Sequence, residues 1–134
     1  MQRTLLIIKP DAVKKRIIGK IISMIEKEFD IIGIRMKRLT LKEAEEFYKV
    51  HRGKEFYEGL VKFMSSGPSV GLLIEGENVV ERLREFIGST DPNKAKEGTI
   101  RRLFGTTIRY NAVHASDSEE SAYYEIPFYF PSGV

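Results

Sequence analysis

Leu5-Leu6-Ile7-Ile8, closed by Lys9-Pro10-Asp11, is an unbroken apolar run ended by a cation, a proline and an acid. With no polar alternation, it reads as a strand buried on both faces. Outward from it, Ile18, Ile22, Ile25 and Phe29 recur at helical spacing and predict an amphipathic helix over 17–29. Ile32, Ile34 and Met36 alternate with Gly33, Arg35 and Lys37, the pattern of a half-exposed strand. Thr40 with Glu43 forms a capping box that opens a helix running to about Lys49. Phe56, Leu60, Phe63 and Met64 mark another helical face, stopped by Ser65-Ser66-Gly67-Pro68, and Val70–Ile74 is a further strand. Asn78 with Glu81 caps a helix through Ile87, and Gly88 stands where a left-handed C-terminal residue is expected. Ala112-Val113 makes a short fourth strand. Ser116 with Glu119 caps a last helix, ended near Ile126 by Pro127. With the 40–50 helix set aside as an insertion, the order reduces to β-α-β-β-α-β. That is the ferredoxin-like α+β arrangement, a four-stranded antiparallel sheet with helices on it.

The pattern fails only from Gly88 to Asn111, apart from a turn or two near Ile100–Phe104. Connections this long in a small domain are usually functional or disordered, and Ile100, Leu103, Phe104 and Ile108 argue against disorder. The same stretch holds Lys94, Lys96, Arg101, Arg102 and Arg109 against Asp91 and Glu97, a surplus equal to the net charge of +3 of the whole chain. The rest is electrically balanced. A long basic loop near 88–111 therefore suggests an anionic ligand.

A length of 134 residues suits one domain, expected over 1–134. Zero Cys excludes a disulfide framework, a thiolate metal site and a cysteine nucleophile. Two His without H-E-x-x-H spacing leave little for zinc. No apolar run spans a membrane and the N-terminus lacks a signal-peptide pattern, so a cytoplasmic location is expected. Fifteen of the 19 acids are Glu, and only four amide side chains occur, a bias associated with heat-adapted proteins.

Glycine-rich phosphate loops, dinucleotide fingerprints and nucleophile elbows are all absent from the sequence. Phosphate chemistry would have to use side chains. Lys9 puts a cation at the end of the first strand, while Arg84, Thr90, Arg101 and Asn111 could together donate to phosphate. His114 follows the basic segment and precedes a helix N-terminus, where anions are favoured. Glu125, two to three turns into that helix, could hydrogen-bond one ring nitrogen and leave the other free as a nucleophile. His51 has no comparable neighbours in sequence and reads as structural.

The stretch N-A-V-H-A-S-D-S at 111–118 resembles the active-site signature of nucleoside diphosphate kinases, N-x-x-H-[GA]-S-D. The likeness continues through I-K-P-D-A-V at 8–13, F-Y-E-G-L at 56–60, S-G-P at 66–68 and E-G-E-N-V-V at 75–80. It extends through G-S-T-D-P at 88–92, G-T-I-R at 98–101 and S-D-S-E-E-S-A at 116–122. The resemblance implies a ferredoxin-like fold and transfer of the terminal phosphate of a nucleoside triphosphate to a diphosphate through a phosphohistidine. Carried over, His114 is the nucleophile, Asn111 its neighbour, and Lys9 a contact to sugar and phosphate. Arg84, Thr90 and Arg101 hold phosphates, and Phe56 stacks on the base beside Leu60 and Ile108. Tyr48 lies near the histidine, which Ser116 and Glu125 orient. Mg²⁺ is the implied cofactor, held mainly by the nucleotide phosphates rather than by a protein metal site. Stacking on a ring accepts any base, so broad base tolerance follows.

Ala115 replaces the glycine of many members, a variation within the signature. The chain ends at Val134, short of the tail that longer members use in subunit contacts. A homo-oligomer is implied, a hexamer in preference to a tetramer, with Phe128-Tyr129-Phe130 and isoleucine-rich helix faces as apolar contact surface. The competing reading is a ferredoxin-like nucleic-acid-binding module, for which a pI of about 9.1 would suit. Such modules display aromatics on their central strands, and Thr4–Lys9 and Val70–Glu75 contain none. A silent relative retained for assembly would have lost the histidine or a cation, and none is missing. No specific nucleic acid and no membrane are expected as partners.

Overall fold

The computed structural model describes residues 1–132, so the terminus at Val134 lies outside the described residues. The apolar run lies in strand β1 (Gln2–Ile8), followed by a short helix α1 (Pro10–Lys14) that the sequence pattern does not announce. Helix α2 (Ile18–Glu26) leads to β2 (Asp30–Lys37), then α3 (Leu41–Phe47) and α4 (Tyr57–Met64) precede β3 (Ser69–Gly76). Helix α5 (Val79–Ile87), α6 (Ile100–Phe104), β4 (Val113–Ala115) and α7 (Glu119–Tyr129) complete the chain. The sheet order is β2-β3-β1-β4, with every neighbouring pair antiparallel. This is the ferredoxin-like α+β fold expected from the element order.

β1 is buried on both faces because its side chains alternate between two cores. Leu6 and Ile8 pack with Ile21 and Ile25 of α2 and Leu83 of α5, whereas Leu5 and Ile7 pack with Phe47, Val61 and Tyr129. Helices therefore cover both sides of the sheet. A nucleic-acid module of this topology needs one sheet face open for stacking, and here that face lies under α3, α4 and α7. Among the described residues no helix is long and apolar enough to cross a membrane.

Three helix ends, one on α5 and two on α7, differ from the sequence expectation. Asn78 adopts φ +52° and makes no side-chain cap, and the Val80 amide instead donates to Gln2 Oε1 at 3.1 Å. The final helix is capped by Ser118, whose hydroxyl accepts from the Ser121 amide at 3.0 Å, which frees Ser116 for another partner. Pro127 does not end that helix but lies inside it. An internal proline costs about 3 kcal/mol, but stopping there would forfeit the burial of Tyr129, fully enclosed, and Phe130. Tyr129 also hydrogen-bonds Ser69 across 2.6 Å, and its ring leaves no room for a Cβ at Gly71. The same burial removes Tyr129 and Phe130 from any role as a subunit surface. The exposed apolar residues lie elsewhere, notably Ile34 and Met36 on the outer strand β2, 58% and 53% exposed.

Candidate active site

β4 pairs with the C-terminal half of β1, placing His114 opposite Ile7 and delivering both strand ends to one place. His114 is half-buried between the fully packed Val113 and the buried Ala115. Its Nε2 lies 2.8 Å from Glu125 Oε1, and Ser116 Oγ donates to the same oxygen at 2.7 Å. A carboxylate can only accept, so Nε2 carries the proton and the lone pair resides on Nδ1. Nδ1 has no hydrogen-bond partner among the described residues. The rings of Phe47 and Tyr48 stand edge-on to the imidazole at 5.3 and 5.9 Å and fix its plane.

Cations hold the backbone on either side of the histidine. Arg101 donates to Val113 O at 2.9 Å and to Gly88 O at 3.0 Å, while Arg84 reaches Ala115 O more loosely at 3.5 Å. Lys9, only 5% exposed, donates to Asn111 Oδ1 and to Arg109 O, both at 2.9 Å. Asn111 in turn donates to Thr90 O at 2.9 Å, tying the basic loop to the site. Burial pushes the Lys9 ammonium down to about 8, against the attraction of Asp11 and with the repulsion of Arg101 and Arg109. Burial likewise lowers Arg101 to about 10, with the Arg84 charge adding to it, and its Nε is buried without an acceptor among the described residues. At both groups burial is the main cause, and a neighbouring arginine charge adds to it. Beside them opens a cleft of about 970 Å³ whose lining includes Arg84, Thr90, Lys94, Lys96, Arg101 and Asp117.

The structure thus brings together Lys9, Arg84, Thr90, Arg101, Asn111, His114, Ser116 and Glu125. Tyr48 is buried beside them, its phenol pushed well above its usual range chiefly by burial. Phe56 and Ile108 stand further out, 45% and 61% exposed, and Leu60 packs partly into the second core. His51, which reads as structural in the sequence, packs against aromatic rings. Its ring lies between Tyr48 and Phe56, at 6.4 and 5.1 Å, so a row of rings runs from His114 to Phe56. Asp11, whose carboxylate accepts from the Ala112 amide at 3.1 Å, was also unmarked in sequence.

The family model described as nucleoside diphosphate kinase matches residues 2–133. The chain is 50% identical to a nucleoside diphosphate kinase of Persephonella marina over 131 residues, 97% of this chain and 94% of that protein. It is 53% identical to one from Anaeromyxobacter sp. over 132 residues, covering 98% of this chain and 90% of the relative. An orthorhombic crystal form of the Aquifex aeolicus nucleoside diphosphate kinase matches with TM-score 0.91 and 50% identity, over 95% of this chain and 93% of that one.

Proposed function

The chain belongs to the nucleoside diphosphate kinase family and is an enzyme of that phosphotransferase activity; we propose that it works by a ping-pong route through a phosphohistidine on His114, as a single domain over 1–134. The observation that carries this reading is an imidazole with Nε2 held by Glu125 and Nδ1 without a partner among the described residues, its strand held by the cations Arg84 and Arg101. The Nδ1 lone pair attacks the terminal phosphorus of the donor, and the bond from that phosphorus to its bridging oxygen breaks. The diphosphate departs with the electron pair on its own oxygen. A terminal oxygen of the acceptor diphosphate then attacks the same phosphorus and returns the histidine to its starting state. Glu125 offsets the positive charge that the imidazole acquires.

The migrating group spreads its charge over three oxygens, so positioning and electrostatics carry most of the catalysis. Lys9, Arg84 and Arg101 supply fixed charge, with Thr90 and Asn111 as neutral neighbours. Mg²⁺ fits as a companion of the nucleotide. Among the described residues no three His, Cys, Asp or Glu side chains gather to hold a metal, whereas phosphates with one or two carboxylates suffice for this ion. When bound, it neutralises charge on the phosphate oxygens. The direct test is intact mass after incubation with Mg·ATP. One acid-labile phosphoryl group per chain is expected, discharged by any nucleoside diphosphate. A chain that turns over without acquiring it overturns the phosphohistidine.

Arg84→Ala and Arg101→Ala are each expected to lower kcat/KM by roughly 10²-fold, the scale of one oriented charge-stabilising donor. They differ in stability. Arg84 is exposed and loosely bonded, so its loss leaves Tm unchanged, whereas Arg101→Ala strands two carbonyls and lowers Tm as well. Phe56→Ala is expected to raise KM for all bases alike, because stacking carries no base-edge information. A preference for purines over pyrimidines much beyond tenfold would contradict that role.

For assembly we propose a homo-oligomer, a hexamer in preference to a tetramer, unfolding above ~90 °C. The ion pairs Arg3–Glu75, Lys37–Glu43 and Arg52–Glu46 are partly exposed, and such pairs each contribute little. Association would add to stability, because whatever binds only the folded state stabilises it by mass action. Light scattering with calorimetry decides it: a monomer melting at ~45–65 °C contradicts both halves.

A further inference from the structure

We propose that Asp11 is a positioning residue of the phosphoryl-transfer site, anchoring the strained turn at Ala112 that presents Asn111 and His114 and supplying the negative charge that faces Lys9. Ala112 is fully buried and holds φ +77°, a left-handed value for a residue with a Cβ. The Val113 amide donates to Asn111 O at 3.0 Å, closing a γ-turn of the rare, strained kind around Ala112. That turn lies between Asn111 and the strand that carries His114, so its geometry sets where both side chains sit.

The Lys9-Pro10-Asp11 segment grips this turn from across the fold. Lys9 N donates to Ala112 O at 2.9 Å, and Asp11 Oδ2 receives the Ala112 amide at 3.1 Å. The Lys9 ammonium bonds Arg109 O and Asn111 Oδ1 on the same loop. The other oxygen, Asp11 Oδ1, is buried with no hydrogen-bond partner among the described residues. A neutral acceptor would serve the amide without the cost of a buried, half-satisfied carboxylate. The charge has a use beside Lys9. The ammonium is buried, faces Arg101 from α6 and Arg109 from the basic loop, and lies 5.6 Å from the Phe63 ring of α4. Of the charged groups acting on it among the described residues, Asp11 alone favours the cation.

The inference rests on the reading of Lys9 and His114 given above, and its test separates the two. The pH profile of kcat/KM reports the free enzyme, and activity falls as pH rises through the point where Lys9 loses its proton. Asp11→Asn keeps an acceptor for the Ala112 amide but removes the charge. Its alkaline limb is expected at lower pH than the parent's, with little change in Tm. Asp11→Ala removes the anchor as well and lowers kcat by about 10²-fold, the cost of a small misplacement of reacting groups. Adding Ala112→Gly, which takes positive φ without strain, is expected to recover most of that kcat while the limb stays low. An alkaline limb unmoved in Asp11→Asn, or no recovery from Ala112→Gly, overturns the role of Asp11 in a parent that still forms phosphohistidine. A parent that takes up no phosphoryl group overturns both readings.

Discussion

His114→Ala is expected to take up no phosphoryl group from Mg·ATP and to lose roughly 10⁵–10⁶-fold in kcat, the scale of deleting a covalent nucleophile. Among the described residues, no other side chain is arranged to substitute. His51, the second histidine, lies beside Tyr48 and Phe56 and has its Nδ1 3.2 Å from the Lys54 ammonium. Burial and that cation lower its basicity, and it lacks a carboxylate to fix its tautomer. Nucleotide binding is expected to survive, because Lys9, Arg84, Thr90 and Arg101 do not depend on the imidazole for their positions. Titration calorimetry with a nucleoside diphosphate should therefore give an affinity within a few-fold of the parent's. A variant that still becomes phosphorylated and turns over would show that the nucleophile is another group.

Glu125→Ala is expected to lower kcat by roughly 10²–10³-fold with little change in KM. Glu125 Oε1 takes hydrogen bonds from both His114 Nε2 and Ser116 Oγ, at 2.8 and 2.7 Å. Without it the imidazole is free to place its proton on Nδ1, which silences the nucleophilic lone pair in that fraction of molecules. Loss of the orienting carboxylate costs about 10⁴ in kcat in the serine-protease triad. A smaller effect is expected here, because the tautomer with a free Nδ1 remains populated. Glu125→Gln retains an oxygen for both donors and loses only the charge, so its defect should be closer to tenfold. Equal losses in the two variants would mean that charge, not tautomer, is what Glu125 contributes. The comparison is made by single-turnover phosphorylation, which isolates the chemical step from product release.

The apolar run at Leu5–Ile8, the helical spacing of α2 and the alternation in β2 were legible because burial imposes period on nearby residues. The N-x-x-H-A-S-D stretch and the confinement of surplus charge to 88–111 pointed to His114 and to the loop, since both signals lie within short segments. His114, Ser116 and Glu125 are close in sequence, so one strand and one helix bring them together. Pro127 misled because a local rule for helix ends met a non-local force, the burial of Tyr129 and Phe130 beneath the sheet. Ser116 misled in the same way, its hydroxyl serving Glu125 while Ser118 caps the helix. The contacts that decide the site's geometry join residues about a hundred positions apart: Lys9 with Asn111, and Asp11 with Ala112. No periodicity or spacing encodes those pairings. The sequence by itself determined which residues could do phosphate chemistry and the elements that carry them. Only the antiparallel pairing of β1 with β4 decided that the end of the first strand grips the turn before His114, because hydrogen bonds across the sheet depend on tertiary register and not on neighbours along the chain.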